Sequence, residues 1–285
     1  MNRLINPAAL ITEEVNFDGH RFSVLRLDKI HPITGGNKWF KLVKNIAKFR
    51  AGGYEGILSF GGPFSNHIAA LAAVCNEENI PCVGIIRGEE EQATNSTLSR
   101  TMKDGMKLKF VSRTIYRQLR DPAYREMFFH DTGNYLIIPE GGSNDDGVEG
   151  CGMIAEAIDE RFTDVMVAVG TGATFAGIRK NLSPTQRLWG IKVVDARQEL
   201  LIEKYTGLVN ELSLSGDYIF GGYARKAEPL QQFVDRWNRE VPVPIEPIYT
   251  GRLFYAANDM LRKGVLGENP RLLVIHSGGL QYLGD

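Results

Sequence analysis

Short apolar runs alternate with longer amphipathic runs along the chain, and this alternation predicts an α/β fold. Because the short runs are apolar throughout, we expect mostly parallel sheets that helices cover on both faces. The strands predicted in this way are 56–60, 82–86, 107–112, 135–139, 165–169, 189–194 and 272–275. The helices predicted between them include 37–49, 66–78, 92–104, 150–161, 227–239 and 251–263.

The chain has 285 residues, which is long enough for two lobes. No Pro-, Gly- or Ser-rich linker separates them, but residues 30–37 and 139–150 are loop-like and can carry the chain from one lobe to the other. We therefore expect two open α/β lobes with twisted sheets. In this prediction residues 1–37 and 145–285 form the larger lobe, and residues 38–144 form the smaller one.

Composition and charge exclude several classes of protein. Hydrophobic residues make up 43% of the chain and charged residues 24%, which is typical of a soluble globular protein. The net charge of −1 gives none of the basic excess that a nucleic-acid surface needs. No apolar run approaches the roughly 18 residues that cross a bilayer. The first apolar stretch is broken by Asn6 and Pro7, so we expect no signal peptide and no membrane partner.

The three cysteines are Cys75, Cys82 and Cys151, an odd number without paired CxxC spacing. This pattern argues against a disulfide framework or a zinc site and favours buried free thiols in a reducing, cytoplasmic setting. The histidines show no HExxH spacing, so we expect no metal. No GxSxG motif supports a serine hydrolase.

The first glycine-rich turn, Gly61-Gly62-Pro63-Phe64-Ser65-Asn66-His67, follows a predicted strand and precedes a predicted helix. Ligands of parallel sheets bind beyond the carboxyl ends of the strands. A helix N-terminus there presents unpaired N–H groups and the positive end of a dipole, which suit a carboxylate or another anion. An ordinary turn, with Ser65 or Asn66 as the N-cap, explains the same residues equally well.

The second turn, Gly170-Thr171-Gly172-Ala173-Thr174, directly follows the apolar strand 165–169. Small residues and two hydroxyls at a helix N-terminus form a phosphate cradle. Phe175 replaces the third glycine of a dinucleotide fingerprint, but Asp195 lies where a ribose-binding acid would lie. A bare turn and an NAD(P)-binding Rossmann unit therefore remain alternatives.

The third element, Gly35-Gly36-Asn37-Lys38, places a lysine just inside a predicted helix N-terminus. The positive end of the helix dipole and desolvation beside a buried site both favour the neutral amine. A neutral amine is what an imine-forming lysine requires. By itself, such a lysine is more often an ordinary surface residue.

Six segments in this order resemble the 1-aminocyclopropane-1-carboxylate deaminase/D-cysteine desulfhydrase family of fold type II pyridoxal-phosphate enzymes, in the tryptophan synthase β superfamily. The resemblance spans residues 28–285 and implies pyridoxal 5′-phosphate as cofactor, with the active site in the cleft between the lobes and the larger lobe binding the cofactor. The segments are GGNKWFKL (35–42), SFGGPFSNH (59–67), IPEGGSN (138–144), GTGATFAG (170–177), EPIYTGR (246–252) and IHSGG (275–279).

The resemblance implies a role for each matching residue at the substrate end. Lys38 corresponds to the lysine that holds the cofactor as a Schiff base and moves the α- or β-proton. Asn66 corresponds to the asparagine that bonds the cofactor's 3′ oxygen. Together with Ser65 and His67, Asn66 also belongs to the loop that receives the substrate carboxylate, and Ser65 is a candidate for assisting proton transfer.

The resemblance also implies roles around the cofactor. The phosphate loop corresponds to Gly170, Thr171, Gly172, Ala173 and Thr174. Tyr249 and Tyr223 correspond to two active-site tyrosines, and Ser277 faces the pyridine nitrogen. A hydroxyl there does not hold the nitrogen protonated as a carboxylate does, which weakens the electron sink and suits elimination over transamination.

Two positions indicate the branch of the family. The deaminase branch usually has Glu at the position of Thr250 and Leu at the position of Ser277. The hydroxyl residues of this chain at both positions resemble those of the desulfhydrase branch. We therefore expect β-elimination from a small amino acid, with D-cysteine as prototype, giving a keto acid, ammonia and sulfide. Opening of the cyclopropane ring to 2-oxobutanoate and ammonia is the alternative chemistry.

Other departures change the expected pocket but not its lysine. Trp39 and Phe40 follow Lys38 where the family has a small or aliphatic residue and then Arg, and Pro63 and Phe64 precede Ser65 where a polar residue is usual. The chain is also shorter than most members at the N-terminus and between 180 and 225. A catalytically silent binding protein remains a further alternative, and the family implies a homodimer.

The functional hypothesis depends on one spatial relationship. The amine of Lys38 must lie close enough to the backbone amides of 170–174 for one pyridoxal phosphate molecule to reach both. We expect the folded chain to bring these two segments into contact.

Overall fold

The computed structural model contains two β-sheets, each packed against helices. Its larger sheet is formed by the first two strands and by strands from the second half of the chain, and its smaller sheet by strands from residues 56–138. The structure describes residues 10–31, 35–88, 95–130, 133–194, 197–208, 212–222 and 225–280.

The larger sheet has the strand order β1-β2-β10-β7-β8-β9. The hairpin of β1 and β2 is antiparallel, and every other pairing in this sheet is parallel. Its central strands β7 and β10 are buried at every position, which explains why they are apolar except for Asp164 and His276 at their ends. The six strands are β1 (Ile11–Phe17), β2 (His20–Arg26), β7 (Asp164–Val169), β8 (Arg187–Lys192), β9 (Ser213–Ser215) and β10 (Leu272–His276).

The smaller sheet is parallel throughout, in the order β5-β4-β3-β6. Parallel strands place all their carboxyl ends at one edge, so the residues that follow β3, β4 and β6 are neighbours there. The four strands are β3 (Gly56–Gly61), β4 (Cys82–Arg87), β5 (Lys107–Val111) and β6 (Tyr135–Ile138).

Ten α-helices lie in the described part of the chain. Four of the predicted helices are confirmed within about two residues at each end: α1, α2, α9 and α10. The helices are α1 (Asn37–Ala51), α2 (Asn66–Glu78), α3 (Ser96–Lys103), α4 (Arg113–Gln118), α5 (Pro122–Phe128), α6 (Asp145–Gly152), α7 (Ala173–Asn181), α8 (Gln198–Thr206), α9 (Glu228–Glu240) and α10 (Thr250–Arg262).

Helix α1 contributes side chains to a hydrophobic core of each sheet. Phe40 packs in the core beneath the larger sheet, with residues such as Val165 and Ile275. Trp39 and Leu42 pack in the core of the smaller sheet. Since successive residues of one helix belong to different cores, α1 is fixed by both layers.

The prediction of a helix at 150–161 was wrong. Asn144 caps α6 by accepting a hydrogen bond from Gly147 N, so the helix begins earlier than expected and ends at Gly152. Its glycines allow α6 to pack against the backbones of α1 and α7; a Cβ on Gly150 would lie 2.0 Å from the carbonyl oxygen of Phe40. The apolar residues that follow α6 lie in a 3₁₀ turn, Ala155–Ala157, and in irregular chain.

The cysteine prediction is confirmed, since Cys75, Cys82 and Cys151 are buried and free. In the described residues, no helix is long and apolar enough to cross a membrane. The division into lobes at residues 37–38 and 144–145 remains a prediction.

We predict that Gly150→Ala destabilises the protein, although alanine is normally favoured in a helix. The new Cβ would overlap the Phe40 carbonyl, so we expect a loss of about 1–3 kcal/mol in the free energy of unfolding, measured by urea titration. Gly216→Ala is the control, because its nearest neighbour would be 3.7 Å away. Equal stabilities of the two variants would contradict the close packing of α1 and α6.

Candidate active site

The loop after β7 leads into α7 at the carboxyl edge of the larger sheet. Gly172 is the N-cap residue, with φ 96°, and a Cβ there would lie 3.1 Å from Ile202 Cγ1. No side chain caps the helix, so the N–H groups of its first turn are left for another acceptor. These groups and the helix dipole suit a phosphate, as the sequence predicted for 170–174.

The start of α1 lies directly against this loop. Asn37 Nδ2 donates a hydrogen bond of 2.9 Å to Thr174 Oγ1, and Asn37 Oδ1 accepts one of 2.9 Å from Lys38 Nζ. Lys38 is therefore linked to the predicted phosphate loop through one intervening side chain. Gly36 occupies the N-cap of α1, and the Asn37 amide bonds Thr174.

The electrostatic surroundings favour a neutral Lys38. Burial of the amine is the largest cause, and the nearby Lys41 ammonium adds to it; together they lower the pKa of Lys38 to about 7. A substantial fraction of the amine is thus unprotonated near neutral pH. An unprotonated amine is the form that attacks an aldehyde.

Lys41 is a site residue that the sequence reasoning missed. Only 2% of it is exposed, and its Nζ atom donates to Gly141 O at 2.8 Å and to Thr171 Oγ1 at 3.3 Å. Burial lowers its pKa as well. The signal was present in the sequence: a lysine three residues after Lys38 shares its helix face and stands among apolar neighbours.

Within the described residues, Lys41 forms no ion pair with a carboxylate. Its two acceptors are neutral, and Thr171 Oγ1 is further engaged by Ser143 Oγ at 2.6 Å. A buried ammonium without an anion is costly. Its position beside the uncapped start of α7 therefore favours an anion, such as a phosphate, as its partner.

The turn after β3 borders the candidate site on a third side, next to the loop after β7 and the start of α1. Ser65 caps α2, its Oγ atom accepting from Ile68 N at 3.3 Å. The Oδ1 atom of Asn66 is buried and accepts no hydrogen bond from the described residues. The Nδ2 atom of Asn66 lies next to Gly279, where an added Cβ would be 2.8 Å away. Asn66 thus lies against the segment that follows β10.

The segment after β10 contacts the start of α1. Asn37 N donates to Ser277 O at 3.0 Å, and Gly36 and Gly278 form an antiparallel bridge. His276 is fully buried, with its Nε2 atom 2.8 Å from Pro244 O. This packing brings Ser277 to the same region as Lys38. Its contact with a pyridine nitrogen stays a prediction.

Tyr249 and Thr250 lie at the start of α10. A Cβ on Gly170 would be 3.5 Å from the Tyr249 ring, so this tyrosine stands beside the predicted phosphate loop. Thr250 is fully buried, and its Oγ1 atom accepts from Glu246 N at 2.9 Å. Its proposed contact with substrate stays a prediction, because the hydroxyl has a structural partner here.

Glu246 is a second residue that the sequence reasoning missed. Its carboxylate accepts hydrogen bonds from the backbone N–H groups of Ile248, Tyr249 and Thr250, at 2.6, 2.7 and 2.8 Å. Burial raises its pKa, and these hydrogen bonds oppose the rise. Glu246 therefore fixes the backbone that carries Tyr249. Tyr223 and Asp195 lie outside the described residues.

Several observations fit pyridoxal phosphate. Lys38 offers an amine that is partly neutral near pH 7, and Lys41 with the start of α7 offers a cation and free N–H groups for a phosphate. Asn66 adds a buried polar atom without a partner among the described residues. Such an atom costs about 1–3 kcal/mol until a ligand satisfies it.

Comparison with known proteins decides the family. A family model described as pyridoxal-phosphate dependent enzyme matches residues 11–278. The chain belongs to the pyridoxal-phosphate dependent enzymes. This membership favours the interpretation of 170–174 as a loop for the phosphate of pyridoxal phosphate over the interpretation as an NAD(P)-binding loop. Pyridoxal phosphate is the cofactor of this family member.

Individual relatives share less than a third of their residues with this chain. A Pyrococcus horikoshii protein named "putative 1-aminocyclopropane-1-carboxylate deaminase" is 28% identical over 273 residues, covering 86% of this chain and 80% of the relative. An Arabidopsis thaliana protein named bifunctional D-cysteine desulfhydrase/1-aminocyclopropane-1-carboxylate deaminase, mitochondrial, is 26% identical over 284 residues, covering 88% and 70%.

The solved structures support the fold type II architecture. A crystal structure of an ACC deaminase homologue superimposes with a TM-score of 0.81 at 24% identity, covering 95% of this chain and 89% of the other. Maize serine racemase superimposes with a TM-score of 0.70 at 15% identity, covering 96% and 89%. At these identities the likeness concerns the fold.

We predict that Lys41→Gln weakens pyridoxal-phosphate binding and shifts the reaction of Lys38 to higher pH. Loss of a charge-assisted hydrogen bond should raise the Kd at least about tenfold. The rate of imine formation in wild type should rise through about pH 7, as Lys38 loses its proton, and then level off. Removing the neighbouring positive charge raises the Lys38 pKa, so the midpoint moves upward.

The measurement is stopped-flow absorbance after mixing the cofactor-free enzyme with pyridoxal phosphate at a series of pH values. Lys44→Gln is the matched control on the same helix, because Lys44 pairs with Glu149 on the surface. We expect this control to leave both the Kd and the midpoint unchanged. A Lys41→Gln enzyme with the wild-type midpoint would show that Lys41 does not govern Lys38.

Proposed function

We propose that this enzyme is a lyase that acts on a small amino acid by β-elimination, in the manner of a D-cysteine desulfhydrase, and releases a keto acid, ammonia and sulfide. The observation that carries the proposal is the contact between the two halves of the cofactor site. Asn37, next to Lys38, bonds Thr174 of the phosphate loop at 2.9 Å. One pyridoxal phosphate molecule can therefore reach both.

Bound pyridoxal phosphate supplies an electron sink that weakens the bonds at the α-carbon of an amino acid. Lys38 supplies the group that takes and returns a proton, and a pKa of about 7 lets it do both near neutral pH. Lys41 and the first-turn N–H groups of α7 hold the phosphate. The chain thus separates proton transfer at Lys38 from anchoring at Lys41.

The substrate carboxylate is assigned to the turn between β3 and α2. This helix has 13 residues, and its N-terminus carries the positive end of the dipole. The Ser65 hydroxyl caps α2 by accepting from Ile68 N, which fixes its position but leaves its own proton free for the proposed proton-transfer role. The N–H groups of this first turn are the better candidates for the carboxylate.

Ser277 and Tyr249 are proposed to contact the cofactor ring. A hydroxyl from Ser277 exchanges a hydrogen bond with the ring nitrogen without fixing a proton there, which suits elimination. Tyr249 stands beside Gly170, at the phosphate end. Tyr223 is proposed as a second active-site tyrosine on the strength of the sequence alone.

Ring opening of 1-aminocyclopropane-1-carboxylate is the second candidate. It is favoured by the names of the Pyrococcus horikoshii relative and of the solved homologue. The Arabidopsis thaliana name joins both activities, so the family resemblance alone leaves the two candidates open. The hydroxyls of Thr250 and Ser277 favour the desulfhydrase.

The assembly and compartment are also proposals. The family resemblance favours a homodimer, and the three free buried thiols favour a reducing, cytoplasmic compartment. Light scattering at several protein concentrations would test the dimer.

We predict that borohydride reduction attaches the cofactor irreversibly to Lys38. Peptide mapping after reduction, denaturation and dialysis should find the adduct in the peptide that contains Lys38. Lys38→Ala should lose the visible absorbance band of the bound cofactor after dialysis, whereas Lys44→Ala keeps it. An adduct on another lysine would refute the assignment of Lys38.

We predict that D-cysteine is turned over faster than 1-aminocyclopropane-1-carboxylate. The assay follows keto acid, ammonia and sulfide with a panel of small D- and L-amino acids, and Lys38→Ala gives the background. Faster release of 2-oxobutanoate from the cyclopropane compound would support the second candidate instead. A loaded enzyme that turns over none of them would support a binding protein.

A further inference from the structure

His67 has its protonation state fixed by a chain of hydrogen bonds. Ser59 Oγ lies 2.8 Å from Ile138 O and 2.8 Å from His67 Nε2. A carbonyl oxygen only accepts, so the single hydroxyl proton of Ser59 is donated to Ile138. His67 Nε2 must then donate to Ser59 Oγ, and the proton of a neutral ring lies on Nε2.

The other ring nitrogen is an acceptor without a donor. His67 is 1% exposed, and its Nδ1 atom is buried with no hydrogen-bond partner among the described residues. Burial, followed by the Lys38 and Lys41 charges, lowers the pKa of His67 to about 3. The ring therefore stays neutral, and Nδ1 carries no proton and a lone pair that no donor among the described residues satisfies.

The His67 ring borders the candidate active site. His67 follows Asn66 in the turn that we assign to the substrate, and its ring feels the charges of both lysines. Its Cε1 atom, which lies between the two ring nitrogens, lies beside Gly142, where an added Cβ would be 3.4 Å away. The same added Cβ would lie 3.1 Å from Lys41, so the ring and Lys41 border the same glycine.

We propose that His67 Nδ1 accepts a hydrogen bond from the amino group of the incoming substrate, and that His67 is a specificity residue for amines. The inference rests on the proposed function, because it places an amino acid in this site. It also revises the expected role of His67 within the carboxylate loop. A carboxylate has no proton to offer Nδ1, so it must be received by the neighbouring N–H groups.

The proposal gives His67 a part in distinguishing substrate from product. An amino acid brings N–H donors, whereas the keto acid formed from it brings none. The product therefore loses the bond to Nδ1 and leaves a buried acceptor unsatisfied. His67 would retain the substrate and favour release of the product.

Nuclear magnetic resonance of the protein labelled with ¹⁵N-histidine tests the fixed protonation state without requiring turnover. The His67→Gln variant identifies the His67 signals. We expect a protonated Nε2 and a bare Nδ1 that stay unchanged between about pH 5 and pH 8, where an ordinary histidine titrates. A titrating ring, or a neutral ring protonated at Nδ1, would overturn the inference.

The same signals test the ligand. The probes are glycine, which has no group to eliminate, and acetate, which lacks the amine. Added to the cofactor-loaded enzyme, glycine should shift the Nδ1 resonance and acetate should leave it in place. Equal shifts, or none with glycine, would contradict recognition of the amine.

Two variants separate the nitrogens. The amide of His67→Gln reaches the position of Nε2 and keeps the bond to Ser59, whereas the amide of His67→Asn reaches that of Nδ1. In calorimetry with loaded enzyme, His67→Gln should bind glycine about tenfold more weakly and acetate normally. His67→Asn should bind glycine within about threefold of wild type. Equal weakening of glycine and acetate by His67→Gln would overturn the proposal.

Failure of the proposed function has a different signature. If wild-type protein shows no visible band of bound pyridoxal phosphate, the function proposed above fails, whatever His67 does. If the band forms but the Nδ1 resonance ignores glycine, only the role of His67 fails.

Discussion

The site depends on the close approach of two backbone segments, one before α1 and one after β10. A Cβ on Gly36 would lie 2.3 Å from Ser277 O, and a Cβ on Gly278 would lie 2.2 Å from Gly35 O. Only glycines allow such contact, and both Gly36 and Gly278 have positive φ, at 131° and 79°. This contact fixes the start of α1 against the larger sheet, and with it the direction in which Lys38 points.

The parallel core of the fold could be predicted because its central strands, β3, β7 and β10, are buried at every position and are therefore mostly apolar. The hairpin of β1 and β2 was missed, since β1 is half-exposed and mixes polar with apolar residues. The dipeptide Asp18-Gly19 in its turn is nevertheless a sequence signal for a two-residue hairpin. Both residues have the positive φ that such a turn requires, at 51° and 77°. The helix at 150–161 was predicted wrongly because the position of α6 depends on its packing against α1 and α7. The sequence of a single segment does not reveal that packing.

Sequence could predict which segments meet at the site, but not how individual side chains are used. The three glycine-rich elements, after β3, after β7 and before α1, are visible in the sequence. In the structure the start of α1 contacts both the loop after β7 and the segment after β10, and that segment lies against Asn66 in the turn after β3. The partners of Ser65 and Thr250 are local caps that a motif cannot distinguish from contacts with a ligand. Lys41 and Glu246 were missed because a charged residue is expected to be exposed unless the fold shows it buried.

Gly172 gives the cofactor a part in folding. Its left-handed conformation and the nearby Ile202 leave no room for a side chain that could cap α7. A phosphate bound there, as proposed, would complete the first turn of the helix as a serine or aspartate does elsewhere, and the prosthetic group would become a building block of the tertiary structure. Because a ligand that binds only the native state stabilises it by an amount that grows with the logarithm of the free ligand concentration above the Kd, the thermal tolerance of this enzyme would be linked to the cellular supply of vitamin B6.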